Sequence, residues 1–162
     1  MLQEILIMHK PGEPVDILMA DDDADDRLMA DKALQEARLE NSLNFVEDGE
    51  ELMDYLLHRG KYTDESQYPL PGLILLDLNM PKKDGREALK EIKAHPLLHR
   101  IPVVVMTTSA AEQDIVRSYD LGVNSYIIKP VTFDGVVEAM KVMKQYWFQL
   151  VKLPNGCNGN GA

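Results

Sequence analysis

Leu73-Ile74-Leu75-Leu76-Asp77-Leu78-Asn79-Met80-Pro81 is an apolar run that stops at a carboxylate and a proline turn. It reads as a buried strand whose end brings one aspartate to a surface. Three more short apolar runs end in the same way. Ile17-Leu18-Met19-Ala20 stops at Asp21 and Asp22, Val103-Val104-Val105-Met106 at Thr107, and Tyr126-Ile127-Ile128 at Lys129. In open parallel sheets, ligands bind outside the carboxyl ends of the strands, near the point where strand order reverses. Asp21, Asp22, Asp77, Thr107 and Lys129 are therefore predicted to converge on one site.

The stretches between these runs read as helices. Pro11, Gly12 and Pro14 set an opening extension, 1–14, apart from a first strand running from Val15 to Ala20. Met29, Ala30, Ala33, Leu34 and Ala37 recur at helical spacing. Leu43 to Val46 reads as a second strand leaving through Asp48-Gly49, and Leu52, Met53, Leu56 and Leu57 as a second amphipathic helix. A polar connection over 59–72 is longer than most. Asp84 and Glu87 have capping-box spacing ahead of Ala88, Leu89 and Ile92, and His95-Pro96 ends that helix. Ser109 and Glu112 repeat the capping-box spacing before a fourth helix that closes near Gly122. Five strands alternating with helices indicate parallel βαβ units and a doubly wound α/β sandwich.

With 162 residues and 45% apolar content, the chain suits one domain with a sheet covered on both faces. Its net charge of -10, from 17 basic and 27 acidic residues, argues against nucleic acid or an anionic membrane as partner. Cys157 is the only cysteine, which excludes an internal disulfide and a cysteine-based zinc site. The segment from Met1 to Met8 is interrupted by Glu4 and has no basic leader, and no apolar run approaches the roughly 20 residues of a membrane span. A cytoplasmic protein is expected.

Three carboxylates at one sheet edge repel one another by about 4 kcal/mol per pair at 4 Å and an effective dielectric of 20. A hard divalent cation such as Mg²⁺ suits them, because it uses one or two carboxylates, keeps several waters and accepts phosphate oxygens. Asp77 would then serve as ligand and nucleophile, with Lys129 giving positive charge and Thr107 a hydroxyl donor to phosphoryl oxygens. A calcium loop is poorly supported, since Asp26 and Lys32 stand where it needs glycine and glutamate. Asp23, Asp25 and Asp26 read as acids favoured by a helix N-terminus. His9, His58, His95 and His99 show no ligand spacing and read as surface or loop residues.

Ile17-Leu18-Met19-Ala20-Asp21-Asp22, Leu75-Leu76-Asp77-Leu78-Asn79-Met80-Pro81 with Asp84-Gly85, Met106-Thr107 and Tyr126-Ile127-Ile128-Lys129-Pro130 together resemble the CheY-like receiver domain of two-component response regulators. The match covers about 15–150 and fills all five signature positions in order. The 59–72 connection and the ending from Gln145 to Pro154 resemble the single-domain regulators that serve bacterial and cyanobacterial phytochrome kinases. The resemblance implies a five-stranded sheet in order 2-1-3-4-5, with a receiver over 15–153, and the Asn- and Gly-rich composition of 154–162 reads as a disordered tail. It implies a phospho-acceptor at Asp77 and Mg²⁺ (or Mn²⁺) held by Asp22, Asp77 and the backbone carbonyl of Asn79, with Asp21 acting through water. Asn79 and Ser109 would tune the phosphoryl lifetime, and Thr107 and Tyr126 would form the switch pair. The Lys129-Pro130 bond is cis in that family. The implied protein is a phospho-switch in a phosphorelay, not a turnover enzyme, and its implied partner is a histidine kinase of phytochrome type.

Two rival readings fit the residues less well. A haloacid-dehalogenase-like phosphatase places a second aspartate two residues past the nucleophile, where this chain has Asn79. A phosphorylation-independent pseudo-receiver is usually marked by a lost acceptor, lysine or acidic pair, and none is lost here. In the last helix, Val136, Met140, Met143, Trp147 and Leu150 form a core stripe, which Ala139, Val142, Tyr146 and Val151 widen to roughly 180°, beyond the 100° or so one buried face needs. A homodimer through this helix and the fifth strand is expected, with Tyr146, Trp147 and Phe148 at the interface.

Overall fold

The computed structural model describes residues 15–37 and 42–148, with side chains as far as 146. The expected extension 1–14, the boundary at 153, the tail 154–162, Cys157 and the side chains of Trp147 and Phe148 lie outside the described residues.

Strands and helices alternate along the chain: β1 (Ile17–Ala20), α1 (Ala24–Glu36), β2 (Leu43–Val46), α2 (Gly49–Leu56), β3 (Leu73–Leu76), α3 (Gly85–Ala94), β4 (Val103–Thr107), α4 (Glu112–Leu121), β5 (Ser125–Ile128) and α5 (Phe133–Met143). All strand pairs are parallel, in the order β2-β1-β3-β4-β5. This is the doubly wound order expected from the sequence, reversing beside β1 and β3. β1, β3 and β4 are buried along their whole length, as strands covered by helices on both faces must be.

The two-residue period of a strand sorts the core into two layers. Leu18, Ala20, Ile74, Leu76, Val103 and Val105 meet Leu52, Leu56, Leu89 and Ile92 of α2 and α3 on one face. Ile17, Met19, Leu73, Leu75, Val104 and Met106 meet Ala30, Ala33, Leu34, Val136, Met140 and Met143 of α1 and α5 on the other. Parallel register aligns the strand ends, pairing Ala20 with Leu76, Leu76 with Val105 and Thr107 with Ile128. Every residue just beyond those ends therefore opens onto the same edge.

Four helices begin on a side-chain cap. Asp23 accepts from the amides of Asp25 and Asp26, Asp48 from Glu51, Asp84 from Arg86 and Glu87, and Thr132 from Gly135. Helix α4 departs from the expected capping box: Ala111 stands at its N-cap and no side chain caps it. The Ser109 hydroxyl is drawn away to Asp114 Oδ2 at 2.7 Å, because a bond to a carboxylate is stronger than one to a neutral amide. At the other end Gly122 closes α4 in the left-handed region with φ 103°, as its position predicted. The Lys129-Pro130 peptide, implied to be cis, is trans; the two isomers of such a bond differ by only about 0.5–1 kcal/mol.

The 59–72 connection is less polar in structure than in sequence. Tyr62 is buried and packs on Tyr55 and Tyr68 at ring-centroid distances of 5.1 and 4.8 Å, while Tyr55 and Tyr68 lie 5.8 Å apart. The Tyr55 hydroxyl donates to Pro69 O at 3.1 Å and accepts from Asn44 Nδ2 at 3.3 Å, which pins the loop to β2. His58, expected on the surface or in a loop, sits in the turn after α2 with its side chain mostly covered, and its ring nitrogen Nε2 lies 3.0 Å from Tyr68 O. Burial pushes the Tyr55 phenol up to about 12. Fold stability from this group is complete below the unfolded value near 10 and is lost as pH rises through 12. Ultraviolet titration is expected to show a late-ionising tyrosine that disappears in Tyr55→Phe, and ordinary titration of every tyrosine in wild type would contradict this packing.

Gly85 lets α3 begin directly beneath the Asp77 loop. Its amide donates to Leu78 O at 2.9 Å, and a Cβ at position 85 would overlap the Asp77 carbonyl oxygen and crowd Leu78 Cα. Backbone cannot yield as a flexible side-chain tip does. Gly85→Ala is therefore expected to cost about 2–3 kcal/mol in urea unfolding, at the upper end of overpacking effects. Wild-type stability in that variant would mean the loop has room to shift.

Candidate functional site

The strand ends assemble a compact ionic site. Asp77 is 6% exposed, and both of its oxygens are engaged. Oδ1 accepts from the Thr107 hydroxyl at 2.8 Å and from the Asn79 amide at 3.1 Å, and Oδ2 accepts from Lys129 Nζ at 2.9 Å. Backbone bonds hold these groups in place: Asp77 N donates to Ala20 O at 3.0 Å, and Lys129 N to Thr107 O at 2.8 Å. Asp21, Asp77, Thr107 and Lys129 thus come together as the sequence predicted, with Asp22 exposed at the rim.

Lys129 also reaches Asp21 Oδ2 at 2.8 Å and Asp26 Oδ2 at 2.7 Å. Burial alone would lower the lysine pKa, but the carboxylates of Asp21, Asp26 and Asp77 outweigh it, and the net direction is upward. The side chain is a fixed ammonium. Asp26 is more than the helix-terminal acid its position in the sequence suggests. The Asp23 cap holds its amide at 3.3 Å, while its carboxylate completes the cluster around Lys129. A helical turn separates its Cα from the strand end, and the long lysine side chain closes the gap.

Asp21 is fully buried, and burial pushes its carboxyl up against the lowering effect of Lys129 and of the Asp23 amide. Its Oδ1 accepts from that amide at 2.9 Å. Its Oδ2 lies in ion-pair contact with Lys129 but outside hydrogen-bonding geometry, so the oxygen has no aligned donor. Asp21, Asp22 and Asp77 each offer a carboxylate oxygen within 4.8 Å of the others. An all-oxygen, anionic donor set containing an underused buried oxygen fits a hard divalent cation of the Mg²⁺ or Mn²⁺ kind.

A second set of polar contacts borders this site. Arg86, in the first turn of α3, forms a two-pronged pair with Asp114 of α4, Nε to Oδ1 and Nη2 to Oδ2, both at 2.7 Å. Arg86 Nη1 also approaches Asn79 Oδ1 at 3.4 Å, and Tyr126 donates its hydroxyl to Ser109 O at 2.9 Å. Hydrogen bonds from Arg86 and then Ser109 hold the Asp114 carboxyl well down, at about 2. Sequence reading missed this pair. One available signal was an arginine at a helix N-terminus, where the helix dipole disfavours a cation unless an acid neutralises it.

A profile described as the response regulator receiver domain matches residues 17–141. The chain belongs to the response regulator receiver family. The receiver is 40% identical to response regulator Rcp1 of Synechocystis sp. over 87% of this chain and 94% of that one. The crystal structure of the Mn²⁺-bound form of Rcp1 superposes with a TM-score of 0.79 at 40% identity, covering 87% of the receiver and 99% of that chain. The phosphorylated cyanobacterial phytochrome response regulator RcpA superposes with a TM-score of 0.80 at 42% identity, covering 88% and 99%. The receiver is thus a component of two-component signalling in a family of switches. No helix among its described residues is long and apolar enough to cross a membrane.

Proposed function

We propose that Asp77 accepts a phosphoryl group from a histidine kinase and that the charge placed there switches protein contacts. The observation carrying this reading is Asp77 itself, a covered carboxylate at a strand end with one oxygen bonded to a buried hydroxyl and the other to a fixed ammonium. An Asp77 oxygen attacks phosphorus of the kinase phosphohistidine. The O–P bond forms as the P–N bond breaks, and the electron pair leaves on the imidazole nitrogen. Asp22, Asp77 and the Asn79 carbonyl, with Asp21 through water, would hold Mg²⁺ or Mn²⁺, which when bound offsets the repulsion between carboxylate and incoming phosphate. Lys129 balances the added charge, and Thr107 donates its hydroxyl to a phosphoryl oxygen. Asn79 and Ser109 flank the approach of hydrolytic water.

Thr107 and Tyr126 form the switch pair, because the strand end that carries Thr107 leads straight into the loop whose Ser109 carbonyl holds Tyr126. The similarity to RcpA supports a phytochrome-type kinase as donor. Helix α5 and β5 form the homodimer face: Ile128, Val142 and Tyr146 are half-exposed or more, while Val136, Met140 and Met143 are spent on the core. Tyr146 is the described anchor of that face.

The test is intact-mass measurement after incubation with a small acyl phosphate and Mg²⁺, with sedimentation run in parallel. One phosphoryl group is expected, abolished by chelation, in a protein that sediments as a dimer at tens of micromolar. An unmodified protein, even with a histidine kinase as donor, overturns the acceptor reading, and a monomer in both states overturns the dimer.

A further inference from the structure

Helix α4 is attached to the body in an unusual way. Its buried residues are Asp114 and Ser118, both polar, whereas its apolar Val116 and Tyr119 are half-exposed. An amphipathic helix normally turns its apolar stripe inward. A cleft of about 410 Å³ separates α4 from α3, with Leu89 and Leu121 among its walls. The two-pronged Arg86–Asp114 pair spans the two helices beside this cleft. A planar guanidinium fork on a carboxylate fixes direction as well as distance, which a single-point contact does not.

The same two side chains hold both groups that flank the approach to Asp77. Asp114 Oδ2 accepts from the Ser109 hydroxyl at 2.7 Å, and Arg86 Nη1 approaches Asn79 Oδ1 at 3.4 Å and Leu78 O at 3.5 Å. We propose that Arg86 and Asp114 are positioning residues that lengthen the life of the aspartyl phosphate by pinning Asn79 and Ser109 across the water path. This inference rests on the acceptor role of Asp77. Neither residue touches Asp77, Thr107 or Lys129 in any hydrogen bond or ion pair found among the described residues, so uptake and loss of the phosphoryl group should respond differently. Loss requires water to pass Asn79 and Ser109, and uptake depends on the Asp77 oxygen and its immediate donors. Releasing the clamp frees both side chains and opens the path.

The experiment compares wild type, Arg86→Ala and Asp114→Asn for uptake from a small acyl phosphate with Mg²⁺, and for loss after the donor is removed. Asp114→Asn keeps the size and the Ser109 partner, so it reports if Arg86→Ala fails to fold. The expected result is uptake within twofold of wild type and loss at least fivefold faster in either folded variant. Such a split cannot come from a general loosening of the fold, which would slow uptake as well. Loss at the wild-type rate or slower, with wild type itself phosphorylated, overturns the clamp alone. A wild type that takes up no phosphoryl group removes the acceptor reading and the clamp with it.

Discussion

Asp77→Asn is expected to take up no phosphoryl group from either an acyl phosphate or a histidine kinase, a loss of at least about 10³ in rate. The amide is nearly the same size as the carboxylate, so the Thr107 and Asn79 donors at 2.8 and 3.1 Å keep an acceptor oxygen to bind. What disappears is the anionic nucleophile, since an amide oxygen is neutral and forms no stable acyl phosphate. A 10³-fold fall corresponds to about 4 kcal/mol of transition-state stabilisation. The variant should fold, because removing one anion from a crowded cluster relieves repulsion while Lys129 keeps Asp21 and Asp26. Intact mass and urea midpoint measured on the same sample separate these outcomes. An adduct persisting in a folded Asp77→Asn would move the acceptor to another residue of the edge.

Lys129→Met carries the second large effect, and it combines stability with chemistry. The ammonium lies within 2.9 Å of carboxylate oxygens from Asp21, Asp26 and Asp77. Removing it leaves one fully buried and one nearly buried carboxylate without their cation. Breaking a buried pair in this way costs about 3–5 kcal/mol. Burial already pushes the Asp21 carboxyl up against the lowering effect of Lys129, and without the lysine that push is less opposed, so the folded state binds more protons. Stability of the variant must therefore rise as pH falls toward the carboxylate range, opposite to ordinary acid destabilisation. Mg²⁺ should also restore stability, by about 2.7 kcal/mol at a hundred times its dissociation constant. Urea melts at pH 7.5 and 5.5, each with and without Mg²⁺, check both effects. A variant as stable as wild type and indifferent to pH and metal would show that Lys129 is not the counterion of the cluster. Phosphoryl uptake should fall about 100-fold, because the cation that balances the incoming charge is gone.

The sequence made the strand ends legible because each central strand is a pure apolar run bounded by a polar residue. Leu73–Leu76 followed by Asp77 permits one reading, and parallel register then brings Asp21, Thr107 and Lys129 to the same edge. The helix starts at Asp84 and Gly85, and the stop at Gly122, followed from local capping chemistry. Contacts between distant elements were not legible. Asp26 and Lys129 stand 103 residues apart and Arg86 and Asp114 28 apart, and neither pair leaves a periodic trace. Ser109 misled for the same reason, since its hydroxyl was assigned by a three-residue spacing while a charged partner five residues on claimed it. Tyr62 and Tyr68 were hidden by the polar residues around them, although three tyrosines within fourteen positions supply rings able to pack on one another.

A lysine ammonium has three N–H bonds, and Lys129 already faces three carboxylate oxygens, at 2.7, 2.8 and 2.9 Å. Two of those bonds are spent on Asp26 and Asp77, and the third stands beside Asp21 Oδ2 without alignment. An oxygen arriving at Asp77 must compete with three carboxylates for this one ammonium, so loading the site loosens a partner already present. Asp26 is the most exposed of the three and the cheapest to resolvate, at 32% against 0% and 6%. It is therefore the carboxylate expected to loosen first, and it belongs to the first turn of α1, across the sheet from α4. A phosphoryl group at Asp77 is thus expected to return a free charge to the opening of α1, which the amide resonances of Asp25 to Arg27 would register from the far side of the sheet.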